Sequence, residues 1–171
     1  WSGETAAGAR PVKVVKAMGR ICGSAEQHPR AKVSDHRMGL TFGRVDEAIA
    51  MATMYTANHL VVDGIAALTE SGSTVLWMSR ISSGIPIYDL SPRQRTRRKV
   101  TLYRGVYPTS IDFEKIGPYN MSHKVANLLE EKGIVSEGNR IIITRGDLLG
   151  DEGGGTNAMK VVTIGKVKVS D

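Results

Sequence analysis

Hydrophobic positions in the first thirty residues recur every three or four places, the spacing of an α-helix. Val12, Val15, Met18 and Cys22 follow Pro11 at this spacing. The pattern predicts an amphipathic helix with proline in its first turn, running to about residue 28. Cys22, on the apolar side of that helix, is expected to belong to the core.

A second helix is predicted after a stretch without periodicity. Residues 29–43 are basic and contain glycine and proline, so we interpret them as a connector. Asp46 and Glu47 then precede a run of small and apolar residues at 48–58. Acidic residues favour the first turn of a helix, and a run that is apolar on all sides indicates a largely buried one.

Beyond residue 60, short apolar runs alternate with helical patterns. The predicted strands are residues 65–69, 85–90, 102–108, 140–144 and 158–164. The predicted helices are residues 73–82, a basic helix led by Ser91 and Pro92 to about residue 99, and 121–132. Strand–helix–strand units pair in parallel, whereas the last strand follows only a glycine-rich loop. We therefore predict a three-layer α/β/α fold with a mostly parallel five-stranded sheet and one antiparallel edge strand.

Composition narrows the class of protein. With 171 residues, 41% hydrophobic and 23% charged, the chain fits one ordinary globular domain, and no apolar run approaches the roughly 20 residues that span a bilayer. We expect no membrane partner. Cys22 is the single cysteine, so no intrachain disulfide forms and a reducing, cytoplasmic setting is expected. The chain does not begin with methionine, and we expect it to be cut from something longer.

The net charge of +6 comes from one segment. Its six cations, with no acid between them, are Arg93, Arg95, Arg97, Arg98, Lys99 and Arg104. A basic run alone suggests nucleic acid, but no helix-turn-helix, zinc-finger or aromatic RNA-binding pattern accompanies it. We expect a solvated face or an interface between subunits or domains, not a phosphate-reading surface and not a nucleic-acid site.

A turn rich in hydroxyl groups is the first candidate site. It consists of Thr69, Glu70, Ser71, Gly72, Ser73 and Thr74, between a predicted strand end and a predicted helix start. Hydroxyls and free helix amides at the carboxyl end of a strand suit a phosphate group. Capping of the helix by Ser71 or Ser73 explains the same residues, so both interpretations stay open.

A glycine-rich loop after the fourth predicted strand is the second candidate. Its relevant residues are Leu148, Gly150, Asp151, Gly153, Gly154 and Gly155. It could flank the same pocket as the hydroxyl turn, or it could be a flexible hairpin with no ligand. It lacks the lysine of a phosphate-binding Walker loop.

The four histidines are scattered along the chain without the spacing of metal ligands. We therefore assign no catalytic residue and no metal ligand.

Several blocks of the chain, in order, resemble pyruvate kinase. The segments that carry the resemblance are 1–6 (Trp-Ser-Gly-Glu-Thr-Ala), 11–12, 47–50, 69–72, 79–80, 102–108 and 156–157. The resemblance implies that residues 1–28 are a remnant of a (β/α)8 barrel, 29–43 a connector and 44–171 a C-terminal regulatory domain. The ligands of substrate, Mg2+ and K+ would lie upstream, outside this chain.

The resemblance also implies a function. The whole enzyme would be a cytoplasmic homotetramer that transfers a phosphoryl group from phosphoenolpyruvate to ADP in glycolysis, with Mg2+ and K+ as cofactors. This chain alone is expected to be inactive, to hold no cofactor, and to bind an allosteric activator and other subunits. A free-standing phosphate- or nucleotide-binding α/β module is the alternative, but no Gly-x-Gly-x-x-Gly turn follows the first strand.

In the family, the turn that matches 69–74 binds the phosphate of a sugar-phosphate activator, and the loop that matches 148–155 closes over the sugar. This sequence departs from members that bind a bisphosphate. Ser73 replaces a basic residue, Glu70 replaces a lysine found in some members, and the loop carries no basic residue. Because an acid repels a phosphate, we expect a sugar monophosphate or no tightly bound effector.

Overall fold

The computed structural model describes residues 3–29, 39–116, 119–146 and 155–165. The helices are α1 (Gly3–Ala6), α2 (Pro11–Glu26), α3 (Val45–His59), α4 (Ser73–Ser79), α5 (Gln94–Val100), α6 (Phe113–Ile116) and α7 (Met121–Glu131). The strands are β1 (Gly64–Leu68), β2 (Ile87–Ser91), β3 (Val106–Ser110), β4 (Arg140–Arg145) and β5 (Ala158–Thr163).

The five strands form one sheet in the order β3-β2-β1-β4-β5. The pairs β1–β2, β2–β3 and β1–β4 are parallel, and β5 runs antiparallel to β4. This arrangement confirms the predicted fold class. The strand–helix–strand connections favour parallel pairing of the first four strands, whereas β5 follows β4 after the glycine-rich segment 146–157 and pairs with it antiparallel.

Alternation along the strands divides the core into two faces. The first face contains Ile65, Ala67 and Ile142 and is covered by α3, α4 and α5. The second face contains Ala66 and Ile143 and is covered by α6 and α7. Because successive strand residues point to opposite sides, both faces of the central strands are buried, as in sheets built from parallel units.

Two helix boundaries differ from the prediction. α4 ends at Ser79 instead of residue 82, and the carbonyl of Ser82 accepts a hydrogen bond from Asn58 Nδ2 at 3.2 Å. The basic helix begins at Gln94, after Arg93, because Ser91 still belongs to β2. The hydroxyl of Ser91 accepts a hydrogen bond from the Arg93 amide at 3.3 Å, so it organises the turn before the helix and does not cap it.

The third strand is shifted relative to the prediction of 102–108. Residues 102–105 form the turn after α5, in which the Tyr103 amide donates to the Val100 carbonyl at 2.9 Å. Gly105 has φ of +68°, a conformation that favours glycine, and it starts the chain into β3. Leu102 is consequently exposed, and the strand runs from Val106 to Ser110.

The N-terminal helices are less buried than the pattern indicates. α2 forms as predicted but has no buried residue, and Cys22 is exposed, so its assignment to the core was wrong. α3 was predicted to be largely buried, yet only one stripe, including Ala50, Met54 and Ala57, is buried. Its small side chains allow close packing on that stripe without covering the helix on every side.

Candidate functional site

The turn at 69–74 and the described ends of the glycine-rich loop lie together where the order of the strands reverses. The chain runs from β1 to β2 and β3 on one side, and then returns to the other side of β1 as β4. The turn at 69–74 follows β1, and the glycine-rich loop follows β4. In open α/β sheets this topological switch point, at the carboxyl ends of the strands, is where ligands bind.

Backbone geometry fixes the turn at 69–74. The Thr69 amide donates to the Leu90 carbonyl at 3.2 Å, and the Thr69 hydroxyl accepts from the Gly72 amide at 3.0 Å. Gly72 has φ of +77°. A Cβ there would lie 3.0 Å from Val100 Cγ1, so this position requires glycine for its conformation and for its contact with α5.

Two serine hydroxyls of the turn reach solvent. The Ser71 hydroxyl accepts from the Ser73 amide at 3.3 Å and donates to the Ser73 hydroxyl at 3.2 Å. Gly72 occupies the N-cap position of α4, with no side-chain cap. Ser71 therefore satisfies one amide of the first turn, as the capping interpretation expects. Both hydroxyls lie beside the helix start, and each can donate to a ligand once its proton rotates away from its present acceptor.

The hydroxyl of Thr74 contacts the second loop. Thr74 is buried, and its hydroxyl lies 2.6 Å from that of Thr156. The two ends of the glycine-rich loop also meet, because a Cβ on Gly146 would lie 2.6 Å from the carbonyl oxygen of Gly155. The ends of both loops are thus fixed side by side. The Thr74 hydroxyl is buried in this contact, whereas Ser71 is exposed and Ser73 is half-buried.

Most of the second loop lies outside the described residues. This applies to Leu148, Gly150, Asp151, Gly153 and Gly154. Gly155 is described and is exposed at the end of the loop.

The basic helix α5 contacts the turn, which the sequence analysis did not anticipate. Thr96 Oγ1 donates to the Glu70 carbonyl at 2.6 Å. Arg93 Nη2 pairs with Glu70 Oε2 at 2.5 Å, and Lys99 Nζ lies 3.5 Å from the Ser71 carbonyl. The spacing of Arg93, Thr96 and Lys99 every three residues was the available signal, because it puts these side chains on one side of a helix.

Asp46, in the first turn of α3, supports the turn from the other side. The Arg44 guanidinium donates to both Asp46 carboxylate oxygens, at 2.9 and 2.8 Å. The Ser73 hydroxyl donates to Asp46 Oδ2 at 3.4 Å. These hydrogen bonds, which Arg44 donates and Asp46 accepts, lower the pKa of Asp46 and raise the pKa of Arg44. Asp46 therefore stays ionised and orients the hydroxyl of Ser73.

The described residues contain no group of three or more histidine, cysteine, aspartate or glutamate side chains that could hold a metal ion. Within the same residues, no helix is long and apolar enough to cross a membrane. The turn itself presents hydroxyls and amides, with the cations of α5 and the carboxylates of Glu70 and Asp46 around it. Hydroxyls, amides and cations are donors that recognise an anion by hydrogen bonding.

Fold and site together define an open α/β domain with the turn at 69–74 and the ends of a second loop at its switch point. Residues 47–162 match the family described as pyruvate kinase, alpha/beta domain. Over 164 residues the chain is 45% identical to pyruvate kinase II of Salmonella typhimurium, covering 95% of this chain and 34% of that protein. Pyruvate kinase of Buchnera aphidicola subsp. Baizongia pistaciae is 42% identical over 164 residues, with 95% and 34% covered.

Among solved structures, a pyruvate kinase from Cryptosporidium parvum has the same fold. It has a TM-score of 0.73 at 24% identity, covering 96% of this chain and 32% of that one. The chain belongs to the pyruvate kinase family, as the sequence resemblance indicated. It spans about a third of the length of the curated relatives it matches.

Proposed function

We propose that this chain is the allosteric effector-binding and oligomerising part of a pyruvate kinase, and that a sugar monophosphate binds at the turn 69–74. In the whole enzyme, a cytoplasmic homotetramer, phosphoryl transfer from phosphoenolpyruvate to ADP takes place elsewhere, with Mg2+ and K+. Residues 1–28 are assigned to the end of the catalytic barrel, 29–43 to a connector and 44–171 to the effector domain.

The observation that carries the proposal is the position of the turn at the switch point between β1 and β4. There the hydroxyls of Ser71 and Ser73 lie beside the start of α4, and Lys99 lies beside the Ser71 carbonyl. Neutral donors and one flexible cation fit a phosphate, which accepts several hydrogen bonds. The end of the second loop adjoins the same place through Thr74 and Thr156.

The charges near the turn favour one phosphate over two. Glu70 is neutralised by Arg93, so it repels an anion less than its sequence position indicated. Both side chains are more than half exposed, however, so solvent screens this pair and its contribution is small. Residues 147–155 carry three acids and no base, so a second phosphate there would meet only negative side chains.

Calorimetric titration with ribose 5-phosphate, glucose 6-phosphate and fructose 1,6-bisphosphate tests the proposal. We expect one of the monophosphates to bind with a stoichiometry of one per chain and the bisphosphate to bind more weakly. Joint replacement of Ser71 and Ser73 by alanine removes two donors to a charged group, so affinity should fall about tenfold or more.

Ser136→Ala is the matched control, because Ser136 is exposed and precedes β4, at the end of the strands opposite to the turn. Its affinity should equal that of the wild type. Preferential binding of the bisphosphate would overturn the charge argument. Lack of binding by all three would leave helix capping as the role of the hydroxyls.

A separate assay tests the proposal that phosphoryl transfer takes place outside this chain. The 171-residue chain should show no turnover above the blank in a coupled assay with phosphoenolpyruvate, ADP, Mg2+ and K+. Phosphoryl transfer requires bound metal ions and a positioned cation at the reacting phosphate, and we assign neither to this chain. Turnover by the purified chain would contradict the assignment.

A further inference from the structure

A carboxyl group without a hydrogen-bond partner is buried in the first face of the sheet, below the turn. Asp89 in β2 is 0% exposed. Neither of its carboxyl oxygens has a hydrogen-bond partner among the described residues, and the same holds for the buried hydroxyl of Thr144 in β4. Both residues are in register with Ala67 of β1, one on each side of it. Buried polar atoms are normally paired, so this row is exceptional within the core.

Arg97 of α5 is the charged group that acts on Asp89. Its Nη1 donates to the Ser91 carbonyl at 2.7 Å, two residues along β2. Burial raises the pKa of Asp89 to about 6, while the nearby charge of Arg97 opposes the rise. A carboxyl in this position exchanges its proton within the pH range of a cell, because the apolar surroundings disfavour its charged form.

In the part of the chain that the structure describes, the other elements packed on this face place no second cation beside Asp89. α4 contains no ionisable residue. The ionisable groups of α3 are Asp46 and Glu47 in its first turn, Tyr55, and His59 at its far end. β1 has none, and Tyr88 and Tyr107 project from the opposite side of β2 and β3, where their rings lie 5.9 Å apart.

α5 connects this carboxyl to the turn. Its buried residues Thr96 and Val100 pack on the turn, where Gly72 leaves just enough space for them. Thr96 also donates to the Glu70 carbonyl. Ionisation of Asp89 therefore changes the electrostatic interactions of α5, the helix that packs on the turn.

We propose that Asp89 is a buried proton-binding residue through which pH sets how firmly α5 packs below the turn at 69–74. Protonated, Asp89 is a neutral group in an apolar layer. Ionised, it is a buried charge with one cation in reach, and it draws the guanidinium of Arg97 away from the Ser91 carbonyl. This inference does not depend on which ligand the turn binds.

The sign of the pH effect follows from the direction of the shift. The folded chain keeps a proton on Asp89 that the unfolded chain, at the ordinary value of 3.8, releases. The stabilising effect of the neutral form is therefore complete below the ordinary value and is lost as pH rises through about 6. Carboxyl groups whose pKa is lowered by folding show the opposite trend, because their stabilising effect is lost as pH falls.

Melting temperatures of the wild type and of Asp89→Asn at pH 5 and pH 8 test the proposal. Asparagine has nearly the same shape and carries no charge at either pH. We expect it to raise the melting temperature by roughly 5 °C at pH 8 and to change it little at pH 5. Glu131→Gln, an exposed carboxyl on α7 that covers the second face, should show no such difference between the two pH values. An equal effect of Asp89→Asn at both pH values would overturn the proposal.

Arg97→Gln provides a second test that leaves Asp89 in place. Removal of the cation should lower the melting temperature at pH 8 more than at pH 5, whereas Arg98→Gln, on the exposed side of α5, should act equally at both. If Asp89→Asn does not fold, this comparison decides the matter. Hydrogen exchange, corrected for intrinsic rates, should show faster opening of residues 96–100 at pH 8 than at pH 5; unchanged protection of α5 would contradict its role as the connecting element.

Discussion

The two faces of the sheet are built differently. The second face, with α6 and α7, is packed mainly with aliphatic side chains, and its buried polar residues in the described part of the chain are Thr109 and Ser122. The first face has more buried polar groups, with at least one from every element that covers it. They are Asp46, Thr53, Thr69, Thr74, Asp89, Ser91, Thr96 and Thr144. We infer from this difference that the second face mainly stabilises the sheet, whereas the first face also positions the turn at 69–74.

The largest expected effect is on the second face. Leu129 is fully buried there, so Leu129→Ala should lower the free energy of unfolding by about 2–5 kcal/mol, measured by urea denaturation. Leu102→Ala, at a side chain that is 86% exposed, should cost less than about 0.5 kcal/mol. Where the variant is still folded, effector affinity should be unchanged. A loss of affinity without unfolding would mean that the second face also shapes the site.

On the first face, Gly72→Ala should lower stability by about 1–3 kcal/mol, because alanine is strained at φ of +77° and its Cβ would crowd Val100 and Thr96. Gly105→Ala is the matched control: φ is +68°, but no atom lies within 4 Å of the added Cβ. The control should show only the smaller conformational cost. Equal losses in the two variants would show that contact between the turn and α5 adds nothing.

A double-mutant cycle measures the link between the two loops. Thr74→Val and Thr156→Val each remove one member of the hydroxyl pair, so each should cost about 1–2 kcal/mol by leaving the other group unpaired. The double variant should cost less than the sum of the two. Additive losses would mean that the hydroxyls do not stabilise each other.

The smallest effect concerns Asp46, whose pH dependence should be opposite to that of Asp89. Hydrogen bonds from Arg44 lower the pKa of Asp46, so its stabilising effect is present above 3.8 and is lost as pH falls below that value. Because the Arg44 side chain is 64% exposed, we expect Asp46→Asn to cost less than about 1 kcal/mol at pH 7. The difference from the wild type should shrink at pH 3. A constant difference would assign Asp46 a role independent of charge.

The hydrophobic pattern predicted the sheet because burial of apolar side chains determines both the pattern in the sequence and the packing of the strands. Apolar runs such as 140–144 are buried on both sides, and the strand–helix order leaves few possible topologies. Boundaries were less predictable, since Ser91-Pro92 fits a helix start and a strand end equally well by local chemistry. Only the pairing of Ser91 with Ser110 of β3 decides between them.

The candidate site was predictable only as separate segments. The hydroxyls at 69–74 stand out in the sequence, and their position after a strand indicated a ligand. The contacts of Arg93, Thr96 and Lys99 with the turn join residues more than twenty positions apart. Their three-residue spacing indicates that the side chains share one side of a helix, but it does not indicate what that side contacts. Asp89 was missed for a similar reason: an aspartate inside an apolar run looks like a strand end until the neighbouring helix is known to cover it.

The claim that a phosphate binds at the turn can be tested residue by residue with amide chemical shifts. In a titration of the isotopically labelled protein with ribose 5-phosphate or glucose 6-phosphate, the amides of residues 71–74 and 155–156 should shift together, with one common dissociation constant. Amides of α7, across the sheet, should stay in place. Saturable shifts confined to another part of the chain, with the turn unaffected, would contradict the account.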